Sequence, residues 1–132
     1  MAREDAVIID TCVWASFFAK PNSAEKRAVD ELIDADRVLL VGPVLAEVLI
    51  GFRREEQAQW AASRLKMAHW IDITSDDWTF AATLGRRLAA ANRGVPLTDL
   101  IIAAVAIRTS TTVYTTDPHF DLFPDLLRYQ TD

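Results

Sequence analysis

Residues 6–9, Ala-Val-Ile-Ile, form a short apolar run rich in β-branched side chains and with no polar face, and an acid, Asp10, closes it. A run of this kind is the pattern of a parallel strand buried on both sides, so it must lie near the middle of a sheet with helices covering each face. The rest of the chain supplies those layers. Ser23 caps a helix over 24–35 in which Ala24, Ala28, Leu32 and Ala35 share a face, and residues 37–41 read as a second strand. Gly42-Pro43 opens a third segment, with proline favoured in a first helical turn; Val44, Leu45, Val48, Leu49 and Phe52 form its apolar stripe, and a polar continuation runs to about residue 68.

Residues 70–73 predict a short third strand, and Ser75 followed by Asp76 and Asp77 starts a helix with acids at the positive end of its dipole. Asn92-Arg93-Gly94 ends that helix before Pro96, and Thr98 opens another. From Leu100 to Ile107 this last helix is apolar nearly all round, which predicts the most buried helix of the fold. Strands at 112–115 and, at an edge, 126–129 follow. The economical architecture is an α/β three-layer sandwich, a central mostly parallel sheet flanked by helices, formed by residues 1–132 as a single domain.

Composition narrows the function classes. With 51% apolar and 25% charged residues in 132, the chain can bury a continuous core without disulfides, and its one cysteine, Cys12, suits a reducing compartment; the cytoplasm is the expected location. Residues 1–5 lead straight into the first strand, predicting no signal peptide, and no apolar run approaches the roughly 20 residues of a membrane span. A formal charge of −5 excludes broad adhesion to nucleic acid through a global positive field, so contact with a polyanion must be local.

The chemistry lies in four acids. Asp10, Glu47, Asp99 and Asp117 each sit where an apolar element begins or ends, and none has a lysine or arginine beside it in sequence. Carboxylates next to core-forming segments carry a desolvation cost that something positive must offset. In an open parallel sheet, the carboxyl ends of the strands meet at a crevice, and all four acids belong to that edge. Hard oxygen donors of this type suit Mg2+ or Mn2+ rather than zinc, for which His69 and His119 supply no motif. Singly, each acid has a plainer role: Asp10 as a helix cap, Asp99 as a dipole complement, Asp117 as a turn former before Pro118. Glu47 resists such a role, because Val44, Val48 and Gly51 share its side of the helix and predict a face turned away from solvent. His119 reads as a turn or surface residue, and Asp121 as a solvated acid beside the site.

The segments Val-Ile-Ile-Asp10-Thr11-Cys-Val-Trp14, Gly-Pro-Val-Leu-Ala-Glu47-Val-Leu-Ile-Gly51, Pro-Leu-Thr98-Asp99-Leu-Ile-Ile-Ala-Ala and Thr115-Thr-Asp117-Pro-His-Phe120 resemble, in order, the four signature segments of PIN-domain ribonucleases, and within them the VapC-type toxins of toxin-antitoxin pairs. The resemblance runs from Val7 to Phe120. It implies a metal-dependent endoribonuclease that cuts RNA through a metal-activated water, pairs with a cognate antitoxin, forms a homodimer and has no membrane attachment. Position by position it assigns the catalytic quartet to Asp10, Glu47, Asp99 and Asp117, with Asp10, Asp99 and Asp117 as direct or water-mediated metal ligands and Glu47 as ligand or water orienter. Thr11 and Thr115 would fix the carboxylates. Cys12 departs from the serine or asparagine more usual in the family.

Substrate contacts are read from charge alone. Arg53, Arg54, Arg86, Arg87, Arg93 and Arg108 lie on helices or their ends, where they would rim the crevice and hold RNA phosphates. Trp14, Trp60, Trp70 and Trp78 read as core or interface aromatics, and the Phe17-Phe18 pair near Trp14 suits a groove for an antitoxin helix. Phosphoaspartyl hydrolases require Asp-x-Asp after the first strand and receiver domains an acidic pair there, and Asp10-Thr11-Cys12 meets neither requirement. A binding module of the same fold would have lost acids, and a flap-type DNA nuclease would carry more of them.

Overall fold

The computed structural model describes residues 5–131, so the reading of residues 1–4 as a leaderless start lies outside the described residues. Five parallel strands form one sheet in the order β3-β2-β1-β4-β5: β1 Val7–Ile9, β2 Val38–Leu40, β3 His69–Trp70, β4 Thr112–Tyr114 and β5 Leu127–Arg128. As expected for an all-apolar run, β1 is central and has no exposed residue. Its register places Ile8 between Leu39 and Val113, and Ile9 beside Tyr114, so the carboxyl ends of β1 and β4 lie side by side.

Six helices flank the sheet: α1 Thr11–Ala19, α2 Ala24–Asp34, α3 Gly42–Ile50, α4 Glu55–Leu65, α5 Ser75–Ala90 and α6 Leu97–Thr109. Helix α1 packs on α2 and α3, and α3 on α4, while α5 and α6 pack on each other, which gives the layers of an α/β three-layer sandwich. Among the described residues no helix is long and apolar enough to cross a membrane.

Helix α6 is the buried one, with every residue from Asp99 to Ala106 enclosed. It runs antiparallel to α5. Arg108 near its carboxyl end meets Asp77 in the first turn of α5, and Leu100 near its amino end meets Gly85, where a Cβ would stand 3.0 Å from Leu100 Cδ1. The side-chain-free Gly85 therefore permits the close helix approach that holds the start of α6 in place.

Four details differ from the sequence reading, and the end of α5 agrees with it. The polar continuation after α3 is a separate helix, because the chain turns through residues 51–54 and Phe52 packs against Phe18 with ring centroids 5.5 Å apart. The first nine residues after Asp10 are helical although they show no polar face to mark a helix. Helix α5 is capped by Thr74, whose side chain and that of Asp77 exchange hydrogen bonds with each other's backbone N–H groups at 3.2 and 2.8 Å. Helix α5 ends at Asn92-Arg93-Gly94 as expected, with Asn92 in the left-handed conformation and the Arg93 N–H donating to Leu88 O at 2.7 Å. In α2 the inward face is Ala28, Val29 and Leu32, whereas Ala24 and Ala35 are exposed.

Candidate active site

The strand order reverses at β1 and β4: from β1 the chain builds outward through β2 and β3, and then returns to β4 and β5 on the other side. That switch point leaves the crevice where ligands of open parallel sheets collect. Asp10 leaves the end of β1, and Thr115 and Asp117 leave the end of β4, so the topology delivers three of the predicted residues to one place.

Asp10 is buried and caps α1: Oδ1 accepts the Thr11 N–H at 2.8 Å, and its backbone carbonyl accepts from Val13 and Trp14. Its other oxygen, Oδ2, accepts the Thr115 hydroxyl at 2.7 Å. The Thr115 hydroxyl in turn accepts the Asp117 N–H at 3.0 Å, so one buried side chain locks two of the acids into register. Cys12 lies at the same point, its Sγ 3.5 Å from Asp10 Oδ2 and 3.3 Å from the Thr116 hydroxyl, which donates to it. Thr11, one residue along, donates its hydroxyl to Glu47 Oε1 at 2.8 Å and joins α1 to α3. Glu47 itself is exposed, contrary to the expectation drawn from its apolar neighbours. Val44 and Val48 face the core while Glu47 turns outward toward α1, where the Thr11 hydroxyl meets it.

Asp99 occupies the third position of α6 and is almost wholly enclosed, yet no side chain caps that helix. Its carboxylate turns instead toward Asp117 and His119. Burial, followed by the charges of Asp117 and Asp10, pushes its pKa up to about 6, against a smaller opposing pull from His119. Asp117 caps the 3-10 turn Pro118–Leu122 and accepts the His119 N–H at 2.9 Å. The His119 ring lies between the two acids, with Nδ1 3.1 Å from Asp99 Oδ2 and 3.2 Å from Asp117 Oδ1. His119 is thus not an idle turn residue. Its neighbour Phe120 is buried in the core and anchors the turn, which aims the preceding ring into the crevice.

Donor atoms of Asp99, Asp117 and His119 come within 4.8 Å of one another. Among the described residues no lysine or arginine forms an ion pair with any of the four acids. A buried acid whose pKa is raised by burial and by its carboxylate neighbours, with a histidine but no lysine or arginine against it among the described residues, is a donor set that fits a hard divalent cation.

The arginines divide by position. Arg108 sits at the far end of α6 from Asp99, donating to Asp77 Oδ2 at 2.9 Å and Asp72 O at 3.2 Å, so it cannot rim the crevice. Arg54 pairs with Glu56 at 3.3 Å. Arg86, Arg87 and Arg93 are exposed at the Asp99 end of the antiparallel helix pair, and Arg53 is exposed in the turn after α3. Asp121 is drawn away from the site by Arg128 at 2.7 Å. Of the tryptophans only Trp14 is buried; Trp60, Trp70 and Trp78 are about half exposed, because α4, β3 and α5 present them at the periphery.

The sequence matches the PIN domain over residues 7–126. The chain belongs to the PIN domain family. This PIN domain is 28% identical over 120 residues to Ribonuclease VapC19 of Mycobacterium tuberculosis, covering 90% of this chain and 95% of that protein. Its fold superposes on VapBC2 from Rickettsia felis, solved bound to a promoter DNA fragment, with a TM-score of 0.81 at 21% identity over 96% of this chain and 99% of that one. It also matches a toxin-antitoxin complex from Klebsiella pneumoniae, with a TM-score of 0.73 at 19% identity, covering 96% and 100% of the two chains.

Proposed function

We propose that this PIN domain is a VapC-type toxin, a metal-dependent endoribonuclease that acts in the cytoplasm as a single domain and is restrained by a cognate antitoxin. The observation that carries the reading is the convergence of Asp10, Asp99 and Asp117 at the β1/β4 switch point, with Asp99 raised to about 6 by burial and by those two charges. Membership of the PIN family, the relation to Ribonuclease VapC19 and the likeness to toxin-antitoxin complexes support it.

A divalent ion, Mg2+ or Mn2+, held by Asp10, Asp99 and Asp117 would supply Lewis-acid stabilisation of phosphoryl charge and acidify an attacking water. The chain's own residues do the positioning. Thr115 and the Thr11 N–H hold the two oxygens of Asp10, so that carboxylate presents fixed lone pairs. Thr11 steadies Glu47 at the crevice mouth, where an exposed carboxylate can accept a proton from the attacking water. Arg86 and Arg87 stand at the Asp99 end of α5 and α6 and would draw in the phosphate backbone on a protein whose net charge repels it.

The antitoxin reading is supported by a cavity of about 300 Å³ whose lining includes the apolar Trp14, Phe17, Ile33 and Met67 beside the acidic Asp30 and Asp34. Ile33 and Met67 are exposed beside it, and among the described residues the buried Trp14 Nε1 has no hydrogen-bond partner, which suits an amphipathic partner segment that brings apolar side chains and one acceptor. Homodimer formation belongs to the same reading.

Matched single-stranded RNA and DNA of one sequence, incubated with the antitoxin-free protein and Mg2+, Mn2+ or EDTA, test the activity. Cleavage of RNA alone, abolished by EDTA, is the expected outcome; cleavage of DNA alone would assign the site to a DNA-directed nuclease.

A further inference from the structure

We infer that His119 is a nitrogen donor to the cation of this site and tilts its preference from Mg2+ toward Mn2+. The inference rests on the reading of Asp99 and Asp117 as cation ligands and adds a residue that the acidic quartet does not contain.

The geometry is specific. His119 Nδ1 lies 3.1 Å from Asp99 Oδ2 and 3.2 Å from Asp117 Oδ1, so a ring nitrogen already stands where a cation shared by those two oxygens would approach. The backbone beneath it is fixed twice, by the Asp117 cap on its own N–H at 2.9 Å and by Phe120 in the core. The side chain is 41% exposed at the crevice mouth, which leaves the ring room to turn; with its one proton on Nε2 instead of on the Nδ1 that faces the carboxylates, the Nδ1 lone pair is free for an ion. No other described residue competes for the ring.

The donor chemistry sets the consequence. Mg2+ demands oxygen ligands in near-ideal octahedral geometry and keeps much of its water, so an imidazole adds little to its binding. Mn2+ lies in the first transition row, where nitrogen donors contribute more, and it tolerates a mixed carboxylate and imidazole set. A site with three carboxylates alone would show little such bias.

Pulsed EPR on the full chain loaded with Mn2+, together with calorimetric titration by Mn2+ and by Mg2+ separately, reads the ligand directly. The variants are His119→Gln, which keeps a hydrogen-bonding group but no imidazole, and Asp99→Asn, each checked for native circular dichroism. Imidazole nitrogen modulation in the unaltered protein, its loss in His119→Gln, and a fall of roughly tenfold in Mn2+ affinity with Mg2+ affinity unchanged are the expected results. Absence of nitrogen modulation, or an unchanged ratio of Mn2+ to Mg2+ affinity in His119→Gln, overturns the role of His119. If Asp99→Asn still weakens Mn2+ binding in that case, the acidic site stands without His119; if Asp99→Asn binds Mn2+ undiminished, the acidic site itself fails.

Discussion

The Thr115 hydroxyl donates to Asp10 Oδ2 across 2.7 Å and so ties the carboxyl end of β4 to that of β1, at the point where the strand order reverses. The Thr115 hydroxyl oxygen in turn receives the Asp117 N–H at 3.0 Å. Thr115→Val removes the donor to the buried Asp10 carboxylate and the acceptor of the Asp117 N–H while keeping the shape. It should destabilise the protein by about 1–2 kcal/mol in urea unfolding and lower RNA cleavage by roughly 10–100-fold. Thr115→Ser keeps the hydroxyl and should stay within severalfold of the unaltered protein. Equal losses in both variants would mean that packing of the methyl, not the hydrogen bond, matters.

Asp99 carries a cost that metal relieves. Its folded-state pKa of about 6 lies above the 3.8 of an unperturbed aspartate, so the folded protein holds the proton more tightly than the unfolded chain. That contribution to stability is complete below about pH 3.8 and disappears as the pH rises through 6. At pH 7 in EDTA, Asp99→Asn should therefore be more stable than the unaltered protein by about 2 kcal/mol, and the difference should shrink as the pH is lowered toward 4. Added Mn2+ should raise the melting temperature of the unaltered protein and leave that of Asp99→Asn nearly fixed. Thermal melts across that pH range, with and without Mn2+, check both statements.

Asp77 has the opposite sign. Burial pushes its pKa up, but hydrogen bonds from Arg108 and Thr74 and the charge of Arg108 outweigh it, leaving the carboxyl below its ordinary 3.8. Its stabilisation is fully present above pH 3.8 and lost as the pH falls through its lowered value. Asp77→Ala breaks the helix cap and the link to α6 together. Since Arg108 is 39% exposed and keeps much of its hydration, the expected loss is about 2–3 kcal/mol rather than the larger cost of a fully buried pair. Cleavage per folded molecule should be unchanged, because this contact lies at the opposite end of α6 from Asp99.

Ser110 closes α6 at φ 54°, a left-handed conformation that costs a side-chain-bearing residue and suits glycine. Ser110→Gly should stabilise the protein by about 0.5–1 kcal/mol, read from the shift in urea midpoint at constant slope. A loss of stability would show that the serine makes a contribution the left-handed cost does not outweigh.

Much of the fold was legible because its signals are local. The apolar run of β1 has no polar face, and α6 is apolar nearly all round, so each announces burial on every side. The acids were legible because they punctuate such segments. Helix α1 was not, since Thr11-Cys12-Val13-Trp14-Ala15-Ser16-Phe17-Phe18-Ala19 has no polar stripe from which to count a period, and only Asp10 as a cap marks its start. The exposure of Glu47 and the approach of His119 to Asp99 depend on where helices and turns dock, and sequence neighbours carry no record of that. Arg108 shows the same limit: its partner, Asp77, is 31 residues away.

The most direct test is to incubate antitoxin-free protein with total cellular RNA in Mg2+ or Mn2+ and in EDTA, beside Asp99→Asn prepared identically. Discrete RNA fragments that require both the metal and Asp99 are the predicted result. Equal cleavage by Asp99→Asn, or cleavage undiminished in EDTA, would contradict the assignment of catalysis to a metal held by this acidic crevice.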